Sequence, residues 1–406
     1  MPLRIAHLSS APFLGGAARA GFRLHEGLSR LDSVSTKWID AGPGPFNQST
    51  IQVSQPLYNP TLFTKIKARL RRKPFDRLPK STSSTYSSPY GWGQPHLLEH
   101  LLPVDVFNMH WVSWFLNWDQ LLPWLANQAP IVWTLHDLNP LRGIWHYDPY
   151  PNECIDPWLT VEQQASSFKA SCLASIPRDR LTFVCPSSWM HQQVQLSPIA
   201  SQFPALTIPY GIDTDVFLPT DRRLIRRIAN IDDDALVIGC LADDLSDPRK
   251  GTAELALALQ KLDTSTSLHL LTVGSRGPSF TNVRHTHLGQ LQTDQLLAAF
   301  YSACDLFICP SLQDNLPNTV IESISCGTPV LAFATGGLPD MVKANISGLC
   351  VQPTGCSSAL YKGLVSLISN PSHLARLRVS SRQLSLSDYP LALQAGRYND
   401  LYHQII

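Results

Sequence analysis

The chain opens on a short apolar run, Arg4-Ile5-Ala6-His7-Leu8-Ser9, that reads as a buried strand. A loop holding Gly15-Gly16 follows. From Ala17 the apolar residues Phe22, Leu24 and Leu28 recur at helical spacing among Arg19, Arg23, Glu26 and Arg30. Strand, glycine loop and helix together form the first unit of a parallel α/β sheet. Apolar runs at 104–109, 130–135, 181–185 and 206–208 predict four more strands. A polar stretch at 219–234 then interrupts the pattern. It restarts with a strand at 236–241, a loop ending in Arg249-Lys250-Gly251 and a helix through Leu262. A strand at 268–273, a helix at 294–303, a strand at 305–309, a helix at 318–325 and a strand at 329–333 complete the run. Residues 395–406 are again helical in pattern.

Apolar runs bounded by turns fit strands covered by helices on both faces. The expected fold class is α/β, with two Rossmann-like doubly wound domains facing each other across a cleft. The expected boundaries are 1–209 for an N-terminal domain and 210–389 for a C-terminal one. A helix at about 390–406 is expected to pack back on the N-terminal domain. In such sheets ligands sit beyond the carboxyl ends of the strands.

Composition narrows the function classes. The 406 residues carry 32 Lys and Arg against 31 Asp and Glu, so a broad polyanion binder, and with it a nucleic-acid partner, is not expected. The balance is uneven along the chain. Residues 65–80 hold eight basic residues against the single acid Asp76, and Leu62, Phe63, Ile66 and Leu70 make the start of this segment amphipathic. That pattern suits a solvated loop or a contact with an anionic membrane surface. The nine cysteines have no C-x-x-C spacing and read as buried thiols of a reducing compartment. The N-terminus is not a signal peptide in pattern, and no run of ~18 apolar residues exists. The expected location is cytoplasmic, peripheral at the inner face of the membrane if 65–80 docks there.

The densest chemistry lies at 305–333. The run Gln313-Asp314-Asn315-Leu316-Pro317-Asn318-Thr319-Val320-Ile321-Glu322 leads to Cys326-Gly327-Thr328-Pro329-Val330-Leu331-Ala332-Phe333. It predicts a strand, a polar loop and a helix capped by Asn318, with first-turn amides suited to anions or sugar oxygens. Asp314 and Glu322, eight positions apart, suit two parts of one polyhydroxylated ligand; equally, Glu322 suits a first-turn acid that complements the helix dipole. Lys250-Gly251 at a loop-to-helix junction is placed to neutralise a diphosphate. Gly15-Gly16 lets a phosphate or sugar approach the backbone. His136, in Thr134-Leu135-His136-Asp137, and His110, before Trp111, both close strands. Asp137 is the expected partner of His136 if that histidine is structural. The histidines form no ligand cluster, so no metal is expected.

These residues resemble family 4 of the retaining glycosyltransferases, which have the two-Rossmann GT-B architecture. The form Q-D-N-L-P-N-T-V-I-E with C-G-T-P-V-L-A-F resembles the bacterial exopolysaccharide and colanic-acid type. The resemblance implies that Glu322 binds the nucleotide ribose, while Asp314 and the amides of Asn315, Leu316, Pro317 and Asn318 serve the donor sugar. The first acid is usually Glu in the family and is one methylene shorter here. Lys250 and Arg249 then meet the diphosphate, with Arg249 or Arg276 standing for an arginine the family carries earlier in that loop. Gly15 and Gly16 contact the donor phosphate, His136 lies at the donor-sugar edge, and Tyr210-Gly211-Ile212-Asp213 is the inter-domain segment. The implied activity moves a hexose-type sugar from a nucleotide diphosphate sugar to a saccharide or lipid-linked acceptor with retention, with no cofactor. A nucleotide-sugar 2-epimerase or a non-catalytic sugar-nucleotide binder are the alternatives. A dinucleotide oxidoreductase is disfavoured, because no G-x-G-x-x-G follows either first strand.

Overall fold

The computed structural model describes residues 1–10, 15–41, 50–53, 75, 78, 84–262, 267–276, 280 and 283–406. Most of the basic segment 65–80, including every one of its charged residues, lies outside the described residues. The chain divides into two compact units, Met1–Pro209 with Gln394–Ile406, and Tyr210–Leu393. The two crossings run side by side in the second unit: Ile212 N–H donates to Tyr389 O, and Leu391 N–H donates to Ile212 O, both at 2.9 Å.

Among the described residues the first unit holds seven parallel strands: β1 (Leu3–Ser9), β2 (Val34–Asp40), β3 (Thr50–Gln52), β4 (Val106–Met109), β5 (Ile131–Thr134), β6 (Leu181–Cys185) and β7 (Ala205–Thr207). Their order is β3-β2-β1-β4-β5-β6-β7, so the sheet reverses direction between β1 and β4. Neighbouring strand residues point to opposite faces, and both faces are apolar. Phe107, Trp133 and Phe183 pack on one side with Leu121 and Leu125 of the helix Leu121–Gln128. Val106, Val132 and Val184 pack on the other with Leu24 and Leu28 of the helix Gly16–Ser29. Tyr398, Leu401 and Tyr402 of the C-terminal helix Leu391–Ile405 join that second cluster.

The second unit repeats the plan with β8 (Leu236–Asp244), β9 (Leu268–Ser275), β10 (Arg284–His287), β11 (Leu306–Cys309), β12 (Val330–Phe333) and β13 (Gly348–Val351). Their order is β10-β9-β8-β11-β12-β13, all parallel, with the reversal between β8 and β11. Ile238, Leu270, Ile308 and Leu331 of the strands pack against Leu255 and Leu259 of the helix Thr252–Leu259 and Leu360 and Leu364 of the helix Ser357–Ile368.

The strands β2, β3, β10 and β13 go beyond the sequence expectation. All four lie at or next to a sheet edge, where the apolar demand is one-sided or absent: β10 is Arg-His-Thr-His. All nine cysteines are free, but Cys154 is exposed rather than buried. No helix of the described residues is long and apolar enough to cross a membrane.

Candidate active site

In the second unit the reversal point brings together the loops after β8 and β11. The first begins after Asp244 and closes as a short turn, Pro248–Lys250, before the helix Thr252–Leu259. Gly251 makes the junction at φ +66°, a left-handed conformation that favours glycine. A Cβ there would meet Pro310 O at 1.9 Å, so glycine also permits the two loops to touch. Leu312 N–H donates to Arg249 O at 2.8 Å and ties them.

Across this seam Lys250 Nζ donates to Asp314 Oδ2 at 2.7 Å. Arg249 Nη1 lies 3.6 Å from the same oxygen and donates to Gln313 O at 2.9 Å. Asp314 Oδ1 accepts the Asn315 N–H at 3.1 Å. Asp314 is 7% exposed; burial alone raises its pKa, yet Lys250, Arg249 and these hydrogen bonds outweigh it and hold the carboxyl below its ordinary value. Arg276 is elsewhere, exposed and paired with Asp244, so Arg249 is the arginine at this site. Gly336 underlies the loop at φ +53°, where a Cβ would lie 1.6 Å from Asp314 O. Gly337 N–H donates to Asn315 O at 2.7 Å.

The helix Asn318–Ser325 starts from this loop. Asn318 is its first helical residue and not its cap. Pro317 occupies the cap position at φ −67° and ψ 125°, and no cap side chain accepts from the first-turn amides. Asn315 and Leu316 are buried just before it. Glu322 is buried one turn in, and its Oε2 accepts the Tyr301 hydroxyl at 2.9 Å. Tyr301, from the helix Asp294–Ala303, carried no sequence signal beyond its helical apolar spacing.

In the first unit Gly15 and Gly16 begin the helix Gly16–Ser29 directly beyond β1. Gly15 has φ −72°, so what it offers is a side-chain-free helix start, not left-handed backbone. His110 follows β4, and His136 follows β5 after Leu135. The His136 ring meets His110, its Nε2 lying 3.1 Å from His110 Nδ1, and the nearby Asp137 charge favours its protonated form against burial. Asp137 lies 2.5 Å from His146 Nδ1, accepts the Trp111 indole N–H at 2.7 Å and the Asn139 N–H at 2.9 Å. His110, Trp111, Ser113, His136, Asp137 and Asn139 line a small pocket. Burial pushes the His136 pKa down to about 4, leaving the ring neutral. Among the described residues no group of three or more His, Cys, Asp or Glu is placed to hold a metal ion.

Sequence reasoning missed His7 and Asn108, which contact His110, and His25, which stands edge-on to His7. The available signal was a shared two-residue step: Asn108-x-His110 and Thr134-x-His136 put polar side chains on one face of adjacent strands.

Residues 235–370 match the family model described as glycosyl transferases group 1. This stretch of the second unit is similar to the group 1 glycosyl transferases. This segment contains Lys250, Arg249, Asp314 and Glu322. The D-inositol 3-phosphate glycosyltransferase of Stackebrandtia nassauensis is 32% identical over 191 residues, covering 42% of each chain. The chain thus spans less than half of that relative. The alpha-maltose-1-phosphate synthase of Mycobacterium tuberculosis is 21% identical over 73% of this chain and 79% of its own. Among solved structures, sucrose-phosphate synthase from Thermosynechococcus elongatus superposes with TM-score 0.68 at 18% identity over 99% of both chains. The Anabaena protein HepE, in complex with UDP and glucose, superposes with TM-score 0.69 at 14% identity and the same coverage. The matched segment therefore sits in a chain of GT-B fold, two Rossmann-like parallel-sheet units.

Proposed function

We propose that this chain is a retaining hexosyltransferase of the family 4 type. It moves a hexose-type sugar from a nucleotide diphosphate sugar to a saccharide or lipid-linked acceptor, in the assembly of an exopolysaccharide. The observation that carries the reading is the convergence of Lys250, Arg249 and Asp314 at the strand ends where the second sheet reverses. A cation pair beside a side-chain-free helix start suits a diphosphate. HepE, which has been solved in complex with UDP and glucose and with UDP-glucose, supports the same donor class.

In the proposed reaction Glu322 holds the ribose, and the backbone of residues 315–318 with Asp314 orients the donor sugar. Lys250 and Arg249 stabilise the diphosphate as the bond from the anomeric carbon to its phosphate oxygen breaks. The acceptor oxygen bonds to the anomeric carbon on the same face, and its proton passes to the departing phosphate oxygen. Gly15 and Gly16 offer backbone to the donor phosphate, and His136 serves the donor sugar. The 65–80 segment would bring the enzyme to the anionic membrane that carries a lipid-linked acceptor.

The test is transfer from UDP-, GDP- and ADP-hexoses to lipid-linked saccharide acceptors. Lys250→Ala and Glu322→Ala should each lower turnover at least ~100-fold, about 2.7 kcal/mol. Near wild-type turnover by either variant sinks these roles. Epimerised nucleotide sugar formed without any acceptor sinks the transferase reading itself.

A further inference from the structure

Three histidines of the first unit form a buried chain across adjacent strands. His7 Nδ1 lies 2.9 Å from His110 Nε2, and His110 Nδ1 lies 3.1 Å from His136 Nε2. None of the three is more than 8% exposed. The rings of His7 and His110 stack at 5.3 Å, and His25 stands edge-on to His7 at 5.5 Å. Burial pushes each of these rings toward its neutral form, helped by neighbouring imidazoles at His7 and His110 and opposed by Asp137 at His136. Among the other groups facing the chain, Trp38 is an indole, and Asp137 beside His136 is already taken by His146.

A neutral imidazole carries one proton, so the chain has two self-consistent arrangements. With the protons on Nδ1, His7 donates to His110 and His110 donates to His136. With the protons on Nε2, every bond runs the other way. Two observations separate them. The reversed arrangement leaves the proton of His7 on Nε2, a buried atom with no hydrogen-bond partner among the described residues. A buried N–H without an acceptor is rarer and costlier than an unused lone pair. Independently, the Asn108 amide faces the same His110 Nε2 through Nδ2 at 3.3 Å. That amide is oriented by Tyr402, whose hydroxyl donates to Oδ1 at 2.6 Å, and by the Met109 carbonyl 3.3 Å from Nδ2. Nδ2 also donates to Thr134 Oγ1 at 3.1 Å, and an amide nitrogen has no lone pair to offer, so a proton on His110 Nε2 would face a donor and not an acceptor.

We infer that His7, His110 and Asn108 are positioning residues that hold His136 as the Nδ1–H tautomer, so that His136 serves the transfer site as a hydrogen-bond donor and not as a proton acceptor. The role in transfer rests on the function proposed above; the tautomer does not. A donor at Nδ1 holds a sugar oxygen without taking its proton, which leaves the acceptor's proton to the departing phosphate.

The experiment is ring-nitrogen NMR of the full chain labelled with 15N-histidine, with His136 assigned by its loss in His136→Gln. The expected spectrum shows His136 Nδ1 protonated and Nε2 unprotonated from pH 8 to pH 6. A protonated Nε2, or an imidazolium in that range, overturns the inference, and the spectrum that decides it is that of the unaltered chain. In His110→Leu the expected result is a mixed His136 tautomer and about tenfold lower kcat with KM little changed. An unchanged tautomer and unchanged kcat in that variant overturn the positioning role. The expected spectrum in a protein that transfers no sugar from any nucleotide donor would leave the tautomer standing and overturn the role in transfer.

Discussion

Mild acid should unfold the first unit selectively. His7, His25, His110 and His136 are each at most 8% exposed, and burial lowers all four pKa values, to about 4 for His25 and His136 and well below the ordinary histidine value for His7 and His110. In the unfolded chain a histidine titrates near ~6.5. Below that pH the unfolded state binds the extra protons, so stability is complete above about pH 6.5 and falls as pH drops toward 4. Each group that stays neutral costs about 1.4 kcal/mol per pH unit, so four cost at most about 5 kcal/mol at pH 5.5. That is comparable with the whole stability of a domain, ~5–15 kcal/mol. For a unit of this size it moves the melting point on the order of 10 °C. Lys169 does not share this window: burial lowers its pKa to about 7, so its contribution changes above neutrality. The assay is built into the sequence, because all ten tryptophans lie between Trp38 and Trp189, in the first unit. Tryptophan fluorescence melts should shift steeply downward between pH 7 and pH 5. In the second unit only His269 and His285 have lowered values of this kind, so its transition, followed by circular dichroism, should move less. A fluorescence transition that stays level over this range refutes the buried-neutral account of the cluster.

Other perturbations test the second unit. Lys250→Ala leaves Asp314 buried with only Arg249 at 3.6 Å, which should cost about 2–3 kcal/mol, below the ~3–5 kcal/mol of a fully broken buried pair. A double-mutant cycle with Asp314→Asn, read by hydrogen exchange at the Leu312 and Gly337 amides, should show coupling of ~1–3 kcal/mol; additivity would mean the pair does not organise the loop. Because the pKa of Asp314 is lowered, the stability its carboxylate contributes is present above the unfolded value near ~3.9 and lost below it, so the effect of Lys250→Ala should shrink in strong acid. Gly336→Ala forces a Cβ to 1.6 Å from Asp314 O at φ +53° and should cost at least ~2 kcal/mol, seen as a lower melting point and weaker nucleotide binding. Deleting residues 65–80 should abolish sedimentation with vesicles rich in anionic lipid while leaving neutral vesicles unbound; unchanged sedimentation removes the membrane contact.

How much of this was legible depended on where the information lay along the chain. The β8 and β11 loops are each continuous in sequence, and the chemistry sits at their ends, so Lys250, Asp314 and Glu322 could be read as a set. The central strands were equally visible, because Phe107, Trp133 and Phe183 make one face of their sheet apolar and Val106, Val132 and Val184 the other. The edge strand β10 was not, since Arg284-His285-Thr286-His287 shows no apolar alternation. The cap was misplaced by one residue for a local reason. Asn318 has a capping side chain, but Pro317 before it supplies the extended backbone that a cap position needs, so the helix begins on Asn318 itself. The histidine chain was the least visible feature. Its members sit 103 and 26 residues apart, and only the pairing of β1 with β4 and of β4 with β5 makes them neighbours.

The shorter acid at position 314 finds its reason in this geometry. Both carboxylate oxygens are engaged by the chain itself, Oδ2 by Lys250 and Ser311 and Oδ1 by the Asn315 amide. A carboxylate held in that way is a brace: it keeps two cations side by side at a loop that would otherwise repel them, and it fixes the turn that presents Asn315 and the amides beyond it. One methylene more would carry the carboxylate past Ser311 and the Asn315 N–H, which the shorter side chain meets. In the proposed reaction Asp314 therefore acts mainly through Lys250 and Arg249, and the contact with the sugar passes to the backbone of residues 315–318. Asp314→Glu separates the two tasks. It should restore reach toward the sugar but loosen the brace, so nucleotide affinity should fall even if sugar selectivity is kept. Unchanged affinity for the bare nucleoside diphosphate would show that the cations need no brace.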